Sequence, residues 1–179
     1  PENAIRSYPI NALGLTSYDN ITANGKNGIK SGVTTDADGE ASLTIKDLTL
    51  NISAPVNDAI NAEQLLNIES GTLNISAADD AVHCDLVLNI GADGTDGLTI
   101  DIAECYEGLE AAELNVLSGN ISIISSDDCM NAANSDLGSY DFSMNISGGT
   151  INAYSSEGDG FGRGDRPSAD PPQKSTSKA

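Results

Sequence analysis

The stretch "AADDAVHCD" (residues 77–85) places Asp79 and Asp80 side by side, just before His83, the one histidine of the chain. A related phrase, "SSDDCMNAA", returns at residues 125–133. Carboxylates gathered this densely suit a hard divalent cation, which takes oxygen ligands. The elements that must position them emerge when the acidic phrase is followed along the chain. It recurs in register as "KNGIKS" (26–31), "NDAINA" (57–62), "DDAVHC" (79–84), "YEGLEA" (106–111), "DDCMNA" (127–132) and "GDGFGR" (158–163).

Each position of the phrase keeps its character. The second is Asn27, Asp58, Asp80, Glu107, Asp128 or Asp159, and the third is small, from Gly28 and Ala59 to Gly160. The fourth is apolar: Ile29, Ile60, Val82, Leu109, Met130, Phe161. The fifth is Lys30, Asn61, His83, Glu110, Asn131 or Gly162. Phrases such as "LTI", "LNI" and "LNV" form a second file, and "TLNIS", "LTIDI" and "NISII" a third. The unit is about 22 residues with three short strands. One unit cannot bury its own inner face, but stacked units bury a continuous column of like residues. The expected fold is all-β: a right-handed parallel β-helix of about six coils over residues 1–163. Residues 164–179, rich in Pro, Ser and charge, read as a disordered or extended tail.

Stacking then dictates the chemistry. Coils sit about 4.8 Å apart, so Asp58, Asp80, Glu107, Asp128 and Asp159 lie over one another. Like charges at that distance are destabilising unless a cation intervenes or protons are retained. Calcium is the economical solution, with the densest acids at Asp79 and Asp80, Glu107 and Glu110, and Asp127 and Asp128. One histidine and no cysteine cluster cannot build a typical zinc site. Asn61, His83 and Asn131 share the fifth-position column with Glu110 and project beside the acids. His83 by itself reads as a polar surface residue.

Twenty-seven acidic residues against eight basic ones give a net charge of −19. That argues against a nucleic-acid partner, since phosphate binding needs clustered Lys and Arg. No apolar run reaches the roughly 20 residues that span a bilayer, and the start at Pro1 reads as a mature or excised fragment. Cys84, Cys105 and Cys129 are odd in number and lack metal-ligand spacing, which makes them small packing residues. The outward file Thr44, Asn67, Asn89, Asn115, Asn145 reads as an amide ladder rather than a sugar-binding row. The small third position suggests a shallow trough beside the acids. Tyr106, Tyr140 and Tyr154 offer aromatic faces but share no column. A regular flat Thr array, which ice binding would want, is not apparent. Arg163-Gly164-Asp165 reads as a chance tripeptide.

Two of these stretches, "ISAADDAVHCD" and "YEGLEAAELNVLSGNISIISSDDCMNAAN", resemble the calcium-containing carbohydrate-binding β-helix family of cellulolytic, pectin-degrading anaerobic bacteria. The likeness covers about residues 43–162, in the order D-D, E-G-L-E, D-D. It implies a secreted or surface-attached binder of polygalacturonate and cellulose with a pectate-lyase-like fold. By position it implies calcium ligation by Asp79, Asp80, Glu107, Glu110, Asp127, Asp128 and Asn131. Ala81 and Cys129 stand where Gly is usual, and Gly162 where Asn is usual, near Asp159.

The expected function is therefore non-catalytic binding of acidic or cellulosic plant-wall polysaccharide outside the cell. Calcium would stabilise the fold and bridge it to ligand, with Asn61, His83 and Tyr106 as candidate sugar contacts. A calcium-dependent lyase on the same fold needs a base for the uronate C5 proton, and Lys30 is its candidate. A calcium-stiffened structural or adhesive module is the third reading.

Overall fold

The computed structural model describes residues 5–7, 18–22, 25–32, 42–94, 97–156 and 161–162. Asp159 and the tail at 164–179 lie outside them. Sixteen strands occur among the described residues, in chain order: β1 Ile5–Ser7, β2 Tyr18–Thr22, β3 Ile29–Ser31, β4 Ser42–Ile45, β5 Leu48–Ala54, β6 Ile60–Ala62, β7 Leu65–Ile68 and β8 Gly71–Ala77. They continue as β9 Val82–Ile90, β10 Leu98–Glu104, β11 Leu109–Val116, β12 Asn120–Ser125, β13 Met130–Asn131, β14 Ser143–Ile146, β15 Thr150–Ser155 and β16 Phe161–Gly162. No helix occurs among the described residues.

Every strand pairing among the described residues is parallel, and the pairing follows the repeat. One sheet runs β1-β3-β6-β9-β11-β13-β16 and carries β4, β7 and β14 beside it; the other runs β15-β12-β10-β8-β5-β2. The result is a parallel β-solenoid of about four turns. In β9 and β11 the acidic strand passes without a break into the L-x-I strand, through a register shift between Ala111 and Glu113. Gly71 and Gly119 turn the chain into the second sheet with φ of +115° and +113°, where a side chain would be strained.

The columns expected from the sequence are the columns formed. Ile29, Ile60, Val82, Leu109, Met130 and Phe161 pair in register. So do Leu43, Leu66, Leu88, Leu114 and Met144. The side chains of Ile29, Ile60, Val82, Leu109 and Met130 and of Leu43, Leu66, Leu88 and Leu114, with those of Leu50, Leu73, Ile100 and Ile121, fill one core, and Met144 packs against it. Cys84, Cys105 and Cys129 are free and buried within it. Outside, the Asn89, Asn115 and Asn145 Nδ2 groups donate to Asn67, Asn89 and Asn115 Oδ1 at 2.8, 3.0 and 3.0 Å, a self-satisfied amide ladder.

Three features differ from the sequence reading. A further strand, Ile5–Ser7, joins the acidic-phrase column beyond Ile29; its signal was "ENAIRS", which repeats the amide-small-apolar-polar order. The third-position residues form no trough: Ala59, Ala81, Gly108 and Cys129 are fully buried. Thr49, Thr72 and Thr99 do stack on the second sheet, but Asn120 interrupts the file before Thr150.

The buried third position yields a direct test. A Cβ at Gly108 would lie 2.2 Å from the Cys129 carbonyl oxygen and 2.7 Å from Ile123 Cγ2. Gly108→Ala is expected to destabilise the fold by about 1–3 kcal/mol, the usual cost of overpacking. Urea unfolding measures it.

Candidate functional site

The acidic phrases are bound to one another through their backbones. Gly28, Ala59, Ala81 and Gly108 N–H groups donate to the carbonyls of Asp58, Asp80, Glu107 and Asp128, one coil along, at 2.9–3.0 Å. The side chains of Asp58, Asp80 and Glu107 therefore follow one another up the stack, and all three are buried. Burying carboxylates is expensive unless each finds a partner.

The fifth-position column provides those partners. Asn61 Nδ2 donates to Asp58 Oδ2 at 2.7 Å within one coil. His83 Nδ1 lies 3.0 Å from Asp80 Oδ2 and 3.3 Å from Glu110 Oε2, while Nε2 lies 2.9 Å from Asp85 Oδ1. Asn131 Nδ2 reaches back one coil to Glu107 Oε2 at 3.1 Å. At the lower end Lys30 bonds Asn61 Oδ1 and pairs with Glu63 at 3.0 Å. The two columns thus interlock, acid against amide or cation. His83 is an internal cation held by three carboxylates, not an isolated surface group. Lys30, the candidate lyase base, is tied into the same lattice.

Electrostatics follow from this packing. Burial pushes Asp58 upward against the Asn61 hydrogen bond. Burial pushes Asp80 up to about 7, with His83 opposing and the Glu110 charge adding. Glu107 also rises to about 7 through burial, opposed by Asn131 and aided by the charges of Glu110, Asp127 and Asp128. For His83 burial acts downward but is outweighed by its bonds to Asp80, Asp85 and Glu110, which push it up to about 12. Glu110 is held below the ordinary range, since the His83 bond and charge outweigh burial.

Two sets of donor atoms lie within 4.8 Å of one another: Asp80, His83 and Glu110, and Asp58, Asp79 and Asp80. A cavity of about 690 Å³ opens over the upper acids, lined by Asp79, Asp80, Glu107, Glu110, Asn131 and Tyr106. Asn131 is only 7% exposed, and its Oδ1 has no hydrogen-bond partner. Asp127 and Asp128 are half-buried one coil above Glu107. Of the candidate sugar contacts, Asn61 is buried, His83 is engaged by carboxylates, and Tyr106 lines the cavity.

The far wall of the cavity was not foreseen. It is the segment after β13, which contributes Ala133, Asn134, Ser135, Leu137, Gly138 and Phe142. Asn134 turns this segment by accepting the Asp136 N–H on Oδ1 at 2.9 Å. Its Nδ2 donates to the Asp85 carbonyl at 2.9 Å, although the two residues are 49 positions apart. The long spacing between the acidic phrases at 127 and 158 signalled an insertion, but not where it would fold. The site is therefore acidic on one wall and carries apolar Leu137 and Phe142 on the other. Its volume is within the range of pockets that enclose small ligands.

In comparisons with known proteins, the model of a carbohydrate-binding domain-containing protein family matches residues 15–160. No curated protein and no solved structure matches the chain.

Two outcomes test the interlocked columns in metal-free protein. The His83 ring protons should show no titration step between pH 5 and 8 by NMR, because its charge persists to about pH 12. Asp80 and Glu107 have folded pKa values raised to about 7. Their stabilising contribution is complete below the ordinary carboxylate pKa of about 4 and lost as pH rises through about 7. Urea unfolding should accordingly show a less stable chain at pH 8 than at pH 5.

Proposed function

Because the chain belongs to the carbohydrate-binding domain-containing protein family, we propose that it binds acidic plant-wall polysaccharide without catalysis, through calcium held in the acid cavity. In this reading the solenoid is right-handed and extracellular. The preferred glycan is polygalacturonate, with cellulose as a neutral relative.

The observation that carries the reading is the buried, unpartnered Asn131 Oδ1 beside Glu107 and Glu110 in a cavity open to ligand. A buried polar atom left without a partner is costly. The donors around it are carboxylate and amide oxygens, the hard set that calcium prefers over nitrogen and sulfur ligands. Glu107, Glu110 and Asn131 would hold the ion, with Asp79 and Asp80 adjoining. Asp58 is a weaker candidate, since Asn61 already answers its Oδ2. Asp127, Asp128 and Asp159 remain candidate ligands of a further ion.

Bound calcium supplies local positive charge and vacant positions for sugar oxygens, which lets a chain of net charge −19 accept a polyanion. The protein's own residues do the rest. His83 fixes Asp80 and Glu110 in place, Asn131 orients Glu107, and Leu137 and Phe142 present apolar surface to the faces of a pyranose ring.

The reading is tested with polygalacturonate in calcium and in chelator. Binding is expected in calcium and absent in chelator, and Asn131→Ala should weaken it roughly tenfold or more, as even indirect damage to a metal site does. Equal retention in chelator and calcium would contradict the metal bridge. No retention of any plant-wall polysaccharide would contradict the assignment.

A further inference from the structure

A second hollow, of about 400 Å³, adjoins the acid cavity at the corner of the second sheet. Tyr106 lines both. Its other walls include Glu104, Ile124, Ser126 and Tyr154. Ile124 and Tyr154 are in register one coil apart, and they are 50% and 65% exposed. Lower on the same sheet, the outward residue after the inward Ile is Ser53 and then Ser76, also in register. The upper coils thus carry an aliphatic and an aromatic side chain where the lower coils carry hydroxyls, at a corner where a hollow meets the acid cavity. Solvent gives no reason to expose an apolar pair where the lower coils are polar, and contiguous exposed apolar surface beside a cavity marks a contact site.

We infer that this hollow is a second sugar subsite, taking an uncharged pyranose unit of the same polysaccharide chain whose uronate occupies the acid cavity. The inference rests on the proposed function and adds a place and a chemistry to it. The Tyr154 ring and Ile124 meet the C–H face of the sugar, as an amphipathic aromatic does at wet interfaces. Glu104 and Ser126 Oγ, whose own proton goes to the Cys105 carbonyl at 3.4 Å, accept hydrogen bonds from its hydroxyls. Among the described residues Glu104 is the one carboxylate lining the hollow, and it disfavours a second free uronate there while accepting a neutral or methyl-esterified unit. Tyr106 is the divider over which the chain passes from one subsite to the other.

The test uses Tyr154→Ser and Ile124→Ser, which copy the residues of the lower coils at exposed positions. Affinities in calcium are measured for a galacturonate dimer and for partly methyl-esterified galacturonate hexamers. The wild-type chain is expected to bind the hexamer more tightly than the dimer. Each variant should weaken hexamer binding roughly 5- to 10-fold, the scale of an aromatic contact at an interface, and leave dimer binding unchanged. Wild-type hexamer affinity retained in both variants overturns the subsite while leaving the acid cavity's role intact. Equal weakening of dimer and hexamer also overturns it, since the two side chains would then act on the acid cavity. Failure of the wild-type chain to bind either oligomer overturns the proposed function and the subsite with it.

Discussion

Parallel, in-register stacking is the constraint on which the rest of this structure depends. Each coil repeats its neighbour about 4.8 Å away, so where the repeat is kept a side chain meets its own kind above and below. Apolar columns gain from that arrangement, and the leucine and isoleucine files fill the core. Amide columns also gain, because each amide donates to the next, as Asn67, Asn89, Asn115 and Asn145 do. A column of carboxylates does not. Asp58, Asp80 and Glu107 require something beside them, and the fifth position of the same phrase supplies Asn61, His83 and Asn131. In the proposed reading, the site is the place where a structural repeat turns its own electrostatic problem into binding capacity. Of these three partners, Asn61 and His83 are engaged through both polar atoms, whereas Asn131 Oδ1 has no hydrogen-bond partner.

Much of this was legible in the sequence, for a physical reason. A column is a one-dimensional pattern, and the acidic phrase fixed the register of six phrases in the chain before any coordinate was known. The pairings Ile60 with Val82 and Leu109 with Met130 follow directly from it. The cysteines and the Asn file were legible in the same way, since neither depends on contacts outside its column.

What was not legible depended on contacts between columns or across insertions. His83 read alone is an ordinary polar residue; only its position between Asp80, Asp85 and Glu110 makes it a lasting cation. The third-position file read as a trough because small residues allow either an open groove or close packing, and the inward direction of the chain decides for packing. The wall formed by Asn134, Leu137 and Phe142 comes from a segment with no counterpart in the repeat. Its anchor on the Asp85 carbonyl spans two coils and leaves no trace in spacing. The hollow at Tyr154 likewise depends on a substitution within an otherwise polar file.

We propose that interlocking of the two columns leaves an oxygen cradle, at Asn131, Glu107 and Glu110, for a hard cation. Diffraction from crystals grown with calcium, and with a lanthanide for its anomalous signal, tests it most directly. The expected result is an ion ligated by Asn131 Oδ1 and the two glutamates, facing the cavity that Tyr106 and Phe142 line. An ion bound only elsewhere, or Asn131 Oδ1 satisfied by a protein donor with no ion beside it, would contradict it.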